Sequence, residues 1–351
     1  MSNVSQYLIQ KDEPIKKAIK LLNEGGRKIL FVVDIENRLY GSLTDGNIRR
    51  WIIKTGGIKG KVEDICNKNP IFFEKDYSVM EVKEILLTEK IESIPVIDKE
   101  RKIVKILFWD DIFKGEKEEF TQIYLPVVIM AGGKGTRLDP FTRILPKPLI
   151  PIDDKTIIEI IMDEYAKFGI EKFYITINHK AKIIKAYFEE QESSYSIEFI
   201  EENSPLGTAG ALKLLENKIN TSFFVSNCDI IIKEDYAKIY DFHKENNFAL
   251  TLVGSMQHHT IPYGVCEIEN GGILKRINEK PEYDFLVNTG MYLLNPETLR
   301  FIPYNKFYDI NDLIADLKEN NCKVGVYPVS EKSWIDVGEW NKYKINLKKF
   351  L

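Results

Sequence analysis

Apolar residues recur along the first third of the chain in two alternating rhythms. Ile15, Ala18, Leu21 and Leu22 fall at helical spacing, and the run IleLeuPheValVal from 29 to 33 has the length of a buried strand. Glu36-Asn37 then supplies a turn before a second strand and a second helix. The same rhythm returns 64 positions later (79 − 15 = 64): Ile15 pairs with Val79, Ala18 with Val82, Leu21 with Ile85, Leu22 with Leu86 and Leu30 with Ile94. The register continues without a gap through Leu39 with Ile103, Leu43 with Leu107 and Ile48 with Ile112. Each copy predicts a βαββα-like unit, so residues 1–113 read as a tandem pair, with repeats at about 12–60 and 76–113.

After Phe113 the apolar rhythm stops at LysGlyGluLysGluGlu, which predicts a linker over 114–122 and a second domain over 123–351. There LeuProValValIleMet (125–130) suits a buried strand. Ile157, Ile158, Ile161, Met162, Tyr165 and Phe168 share a helical face, begun by Asp153 or Asp154 as cap and stopped by Gly169. A strand at 173–177, a Lys-rich helix to about Glu190, and strands at 196–200 and 223–230 follow. This alternation predicts an α/β domain with a doubly wound, Rossmann-like sheet, whose ligands sit at the carboxyl ends of the strands. At the tail, Trp340, Tyr343, Leu347 and Phe350 predict an amphipathic helix docked on this domain or on a second subunit.

With 44% hydrophobic and 29% charged residues, disordered and fibrous classes drop out. A net charge of −4 provides no broad positive field, so nucleic acid is not an expected partner. No apolar run approaches the ~18 residues of a membrane span, and the opening residues lack a signal-peptide pattern, which predicts a cytoplasmic protein. Cys66, Cys228, Cys266 and Cys322 lie far apart, and the four histidines form no metal motif. A homo-oligomer and a single chain both fit the pattern.

The first third resembles a tandem pair of CBS domains. The first copy has Gly41 and Thr44, with Asn47 where that family's ribose-binding acid would stand; the second has Lys105, Phe108 and Asp111. The resemblance implies an adenine nucleotide site involving Thr44, Asn47 and Asp111, or else a dimerisation or spacer module.

The densest chemistry lies in AlaGlyGlyLysGlyThrArgLeuAspPro and the residues after it, up to 152. Gly132, Gly133 and Gly135 let backbone approach a ligand and turn N–H groups toward an anion, and Lys134, Arg137, Arg143 and Lys147 stand beside them. That combination reads as a polyphosphate site. It is neither the GxxxxGK[ST] loop nor the dinucleotide GxGxxG. The segment closely resembles the signature of the sugar-1-phosphate nucleotidyltransferases, GGxGTRLxPxT followed by PKPLxP. This implies a mixed, doubly wound sheet and an enzyme joining a nucleoside triphosphate to a sugar 1-phosphate with release of pyrophosphate.

The resemblance then assigns the remaining motifs. Ala131, Gly132, Gly133, Gly135 and Thr136, with Leu206, Gly207 and Thr208 of LeuGlyThrAlaGly, would hold the nucleotide, the latter form favouring GTP. Asp229, after an apolar strand, and Asp336, in TrpIleAspValGlyGlu, would bind Mg²⁺, which takes hard oxygen ligands. Gly264, Glu279, Lys280, Asn288 and Thr289 would hold the sugar phosphate. Among the catalytic candidates, Arg137 with the loop amides would grip the triphosphate, and Lys147 and Lys280 would neutralise the reacting phosphates; no general base is needed because the attacking phosphate is already ionised. Fusion to a CBS pair resembles the glucosamine-1-phosphate guanylyltransferases of nonulosonic (legionaminic) acid synthesis. Mannose 1-phosphate with GTP, and glucose 1-phosphate with UTP or dTTP, are alternatives in the class. A non-catalytic regulatory homologue and a CBS-type adenylate sensor are alternatives outside it.

Overall fold

A computed structural model of the protein describes residues 4–25, 27–89, 91–113, 120–191 and 195–338. The predicted tail helix and most of the predicted linker lie outside the described residues. Two compact units divide the chain, 1–119 and 120–351.

The first unit is the repeat made solid. β1 (Leu8–Gln10), α1 (Ile15–Glu24), β2 (Ile29–Val33), β3 (Leu39–Thr44), α2 (Asp45–Thr55) and the short α3 (Val62–Ile65) form one copy. β4 (Phe73–Glu74), α4 (Val79–Glu89), β5 (Ser93–Ile97), β6 (Ile103–Phe108) and α5 (Trp109–Ile112) form the other. Both sheets have the same order, β1-β2-β3 and β4-β5-β6, and even the bulge repeats, at Val32/Val33 and at Val96/Ile97. The two copies share one core cluster, in which Tyr7, Phe31 and Leu39 meet Ile97, Ile106 and Phe108 of the other repeat, while Val82, Leu86, Ile94, Val96, Leu107 and Phe113 form a cluster within the second copy.

In the second unit, β7 (Val127–Met130) leads through the hairpin β8 (Pro151–Ile152) and β9 (Lys155–Thr156) into α6 (Ile157–Ala166). β10 (Lys172–Ile177), α7 (Ala181–Glu189), β11 (Ser196–Glu201), α8 (Gly207–Gly210) and β12 (Phe223–Asn227) follow. After β13 (Ile230–Ile232) and α9 (Tyr236–Glu245) comes a long ribbon, β14 (Leu250–Thr260) and β17 (Glu282–Leu294). Its tip carries the hairpin β15 (Val265–Ile268) and β16 (Leu274–Asn278), and α10 (Ile310–Glu319), β18 (Val324–Val329) and β19 (Trp334–Asp336) complete the unit.

The seven-stranded sheet runs β11-β10-β7-β12-β17-β14-β18. β11, β10, β7 and β12 pair in parallel, β17 is antiparallel to both its neighbours, and β18 is parallel to β14, so the sheet is mixed. Strand order reverses beside β7, because β10 and β11 lie on one side and β12 on the other. That switch point opens a crevice outside the carboxyl ends of β7 and β12. Helices pack on the sheet through fully buried residues such as Ile157, Ile158 and Tyr165.

Two local expectations change. The cap of α6 is Thr156, whose hydroxyl accepts from the Glu159 amide; Asp153, at φ 56°, turns the β8–β9 hairpin with Asp154 instead. The strand expected over 223–230 ends at Asn227, and Asp229 lies in the turn before β13.

Candidate active site at the sheet's switch point

The glycine-rich loop leaves β7 at the crevice. The Ala131 amide donates to the Thr176 carbonyl of β10 (3.0 Å), and Lys180 Nζ reaches the Thr142 carbonyl (2.8 Å), so β10 and the residues after it hold the loop at both ends. Gly135 is left-handed, φ +68°, and a Cβ there would stand 2.9 Å from the Lys147 Cβ. The stem of Lys147 thus lies directly under the loop. Lys134, Thr136 and Arg137 are exposed, whereas Lys147 is only 8% exposed.

The two acids meet through backbone pairing. β13 and β19 form an antiparallel ladder with Ile230 opposite Asp336, and the Val337 amide donates to the Asp229 carbonyl (2.9 Å). Asp229 is 7% exposed, and its Oδ2 accepts from Lys147 Nζ in a buried ion pair. Asp336 Oδ1 accepts from the Gly338 amide (2.8 Å). Gly338 separates the two carboxylates: a Cβ there would overlap Asp229 Oδ2 and lie 3.0 Å from Asp336 Oδ1. Two hard carboxylates lining one glycine-floored cradle fit a Mg²⁺ ion that takes its other ligands from phosphates and water. Among the described residues no group of three or more His, Cys, Asp or Glu forms a closed metal cage. Gly338→Ala therefore lowers divalent-cation affinity about 10–100-fold, read by Mn²⁺ titration. Cys228, next to Asp229, is buried, and burial pushes its thiol up to about 12, so it stays protonated and unreactive.

The segment after β11 forms a tight turn. Gly207 is at φ +79°, and the Thr208 hydroxyl is engaged within the protein, donating to Asp309 Oδ1 (3.0 Å) and accepting from the Ile310 amide (2.9 Å). The sequence reading missed Glu202. Its carboxylate accepts from the Leu206 amide (3.1 Å), and a Cβ at Gly132 would overlap it, so it lies where the phosphate loop meets this turn. Burial raises the pKa of Glu202, against hydrogen bonds from Leu206 and Thr176 that lower it. The available signal was an acid at the carboxyl end of a strand, just ahead of a glycine-bearing turn.

The ribbon supplies the remaining candidates. Asn227, at the end of β12, approaches Gly290 so closely that a Cβ at 290 would overlap its amide. Asn288 faces the same side of β17 as Gly290, donating to the Tyr292 hydroxyl (2.8 Å). Thr289 points the other way: it is 2% exposed, and its hydroxyl donates to the Val253 carbonyl (2.9 Å) beside the bulge at Leu252/Gly254. A Cβ at Gly264 would stand 2.9 Å from Glu279 Oε2, so these two candidates adjoin. Lys280 follows at φ 44° and is exposed.

In the first unit, Thr44 and Asn47 satisfy each other. Thr44 caps α2 and its hydroxyl donates to Asn47 Oδ1 (2.7 Å), while Asp111 is exposed on α5.

Two family profiles match the chain. The Nucleotidyl transferase family profile matches residues 126–349, and the CBS domain profile matches 6–54 and 62–118. The chain is 33% identical over 222 residues to a mannose-1-phosphate guanyltransferase of Yarrowia lipolytica, covering 60% of each. It is 29% identical over 240 residues to a UTP–glucose-1-phosphate uridylyltransferase of Synechocystis, covering 62% of this chain and 61% of that one. It thus spans about three-fifths of the length of these curated relatives. Among solved structures, HddC from Yersinia pseudotuberculosis superposes with a TM-score of 0.52 at 27% identity, covering 65% of this chain and 100% of that chain. HddC complexed with GMP-PN gives 0.50 at 26% identity, with the same coverage. A family match over well more than half of its length shows that this chain belongs to the nucleotidyl transferase family, with tandem CBS domains preceding the family domain.

Proposed function

We propose that the protein transfers a guanylyl group from GTP to a sugar 1-phosphate, giving a GDP-sugar and pyrophosphate. The observation that carries this reading is the convergence of Lys147, Asp229 and Asp336 beneath the glycine loop at the switch point. The reaction must bring two anions together, and here a buried lysine meets two carboxylates able to hold a divalent cation. Mg²⁺ on Asp229 and Asp336 would neutralise phosphate charge.

The chain's own groups do the rest. Loop amides and Arg137 grip the triphosphate, and Lys147 screens the α-phosphate as the sugar phosphate oxygen attacks in line with departing pyrophosphate. Lys280, Glu279 and the Gly264 backbone orient the sugar phosphate, and Asn288 contacts its hydroxyls. Thr289 is assigned no contact, because its side chain is in the core.

Guanine is favoured on chemical grounds. It presents two adjacent N–H donors, N1 and N2, which a carboxylate at the Glu202 position accepts together. Adenine presents an acceptor at N1 instead. The GMP-PN complex of HddC and the guanyltransferase relatives support the same choice. For the sugar we propose glucosamine 1-phosphate, on the fusion to a CBS pair, with the product feeding nonulosonic (legionaminic) acid synthesis in the cytoplasm; the guanyltransferase relatives make mannose 1-phosphate the alternative. The test is pyrophosphate release with Mg²⁺, crossing five nucleoside triphosphates with glucosamine, mannose and glucose 1-phosphates. Selective turnover of GTP with glucosamine 1-phosphate is expected. Preference for UTP or dTTP overturns the guanine assignment, another sugar replaces glucosamine, and silence across the panel overturns the reaction.

A further inference from the structure

We propose that Asp309 is a positioning residue for the nucleotide, clamping the turn against which the base lies; this rests on the guanylyltransferase reading above. Asp309 immediately precedes α10 but directs its carboxylate 101 residues back along the chain. Its Oδ1 accepts from both the amide (2.9 Å) and the hydroxyl (3.0 Å) of Thr208, whose hydroxyl in turn accepts from the Ile310 amide (2.9 Å). Backbone contacts extend the clamp. The Tyr308 carbonyl accepts from Ala209 (3.0 Å) and Gly210 (2.9 Å), and the Tyr308 amide donates to the Leu206 carbonyl (2.9 Å).

The glycines of the turn exist for this contact. A Cβ at Gly207 would stand 2.7 Å from the Tyr308 carbonyl oxygen, and one at Gly210 2.8 Å from that of Lys306. On the other shoulder, the Leu206 amide donates to Glu202, the carboxylate assigned to guanine. The short turn 206–208 is therefore held by Asp309 and Tyr308 on one shoulder and by Glu202 on the other. Thr208, by contrast, spends its hydroxyl on the clamp and acts through the turn's position.

The test combines Mg²⁺–GTP affinity by equilibrium titration with steady-state kinetics. Asp309→Ala weakens GTP binding about tenfold, the loss of one hydrogen-bonded charge, and raises the KM for GTP while leaving that for the sugar phosphate unchanged. Asp309→Asn retains an oxygen acceptor at Oδ1 and restores most of the affinity. Thr208→Val weakens the same clamp from the other side, removing the hydroxyl that bonds both Asp309 and the Ile310 amide; it reproduces the GTP effect, and the double variant adds little to it. If Asp309 and Thr208 only start α10, Asp309→Ala and Thr208→Val lower the melting temperature with GTP affinity unchanged, which overturns the proposal. Equal weakening of both substrates overturns it too, as does a wild-type chain that binds no GTP. Failure of the reaction assignment reads differently, as no pyrophosphate release alongside GTP binding that still depends on Asp309.

Discussion

Lys147→Ala lowers kcat by about 10²–10³, the usual cost of removing a charge that acts on the transition state, and Asp229→Asn lowers it comparably. The structure adds a second readout. Lys147 and Asp229 are 8% and 7% exposed and form an ion pair, so removing the lysine leaves a buried carboxylate without its partner. Breaking such a pair from one side costs roughly 3–5 kcal/mol of folding stability. The Lys147→Ala chain is accordingly destabilised in chelator, and Mn²⁺ at Asp229 recovers part of the loss, because a cation again faces the carboxylate. The double variant Lys147→Ala with Asp229→Asn is more stable than the sum of its parts, since no charge is stranded. Denaturant titrations with and without Mn²⁺ check both statements, and near-normal turnover of either single variant sinks the catalytic assignment. Lys147→Arg is a poor rescue, because the lysine stem fills the space under Gly135.

Glu202→Gln lowers kcat/KM for GTP by about 10² and narrows the preference for GTP over UTP. A carboxylate offers two acceptors to the two N–H groups of guanine. A glutamine offers one acceptor and one donor, which opposes guanine and matches the adjacent N3–H and O4 of uracil. Acidification separates this role from a structural one. Burial raises the pKa of Glu202, so its protonation, and the loss of GTP affinity that follows, begins at a higher pH than for an exposed glutamate. That acid limb disappears in Glu202→Gln. An unchanged GTP to UTP ratio in the variant removes Glu202 from base recognition.

Much of the architecture was legible along the chain because its determinants are local. The 64-residue repeat set the helices and strands of the first unit, since each position's hydrophobicity decides its face. The glycine loop could be read for its chemistry because its amides and cations lie within one short segment. Side-chain direction was harder to read. Thr289 and Asn288 are neighbours in one motif, yet strand alternation sends Thr289 into the core and Asn288 to the opposite face, beside the Tyr292 hydroxyl. Thr156 rather than Asp153 caps α6, because the hairpin before it takes Asp153 as its turn residue.

By itself, the sequence determined a duplicated first unit, an α/β second unit and the residue types able to manage phosphate and metal. These follow from periodicity and from contiguous motifs, in which each residue's neighbours are set by the covalent chain. Tertiary structure alone decided which of those residues meet. The β13–β19 ladder brings Asp336 to Asp229, the loop packs over Lys147, Glu202 comes under Gly132, and Asp309 reaches Thr208. Such contacts join residues far apart in the chain, and only the register and twist of the folded sheet fix their distances.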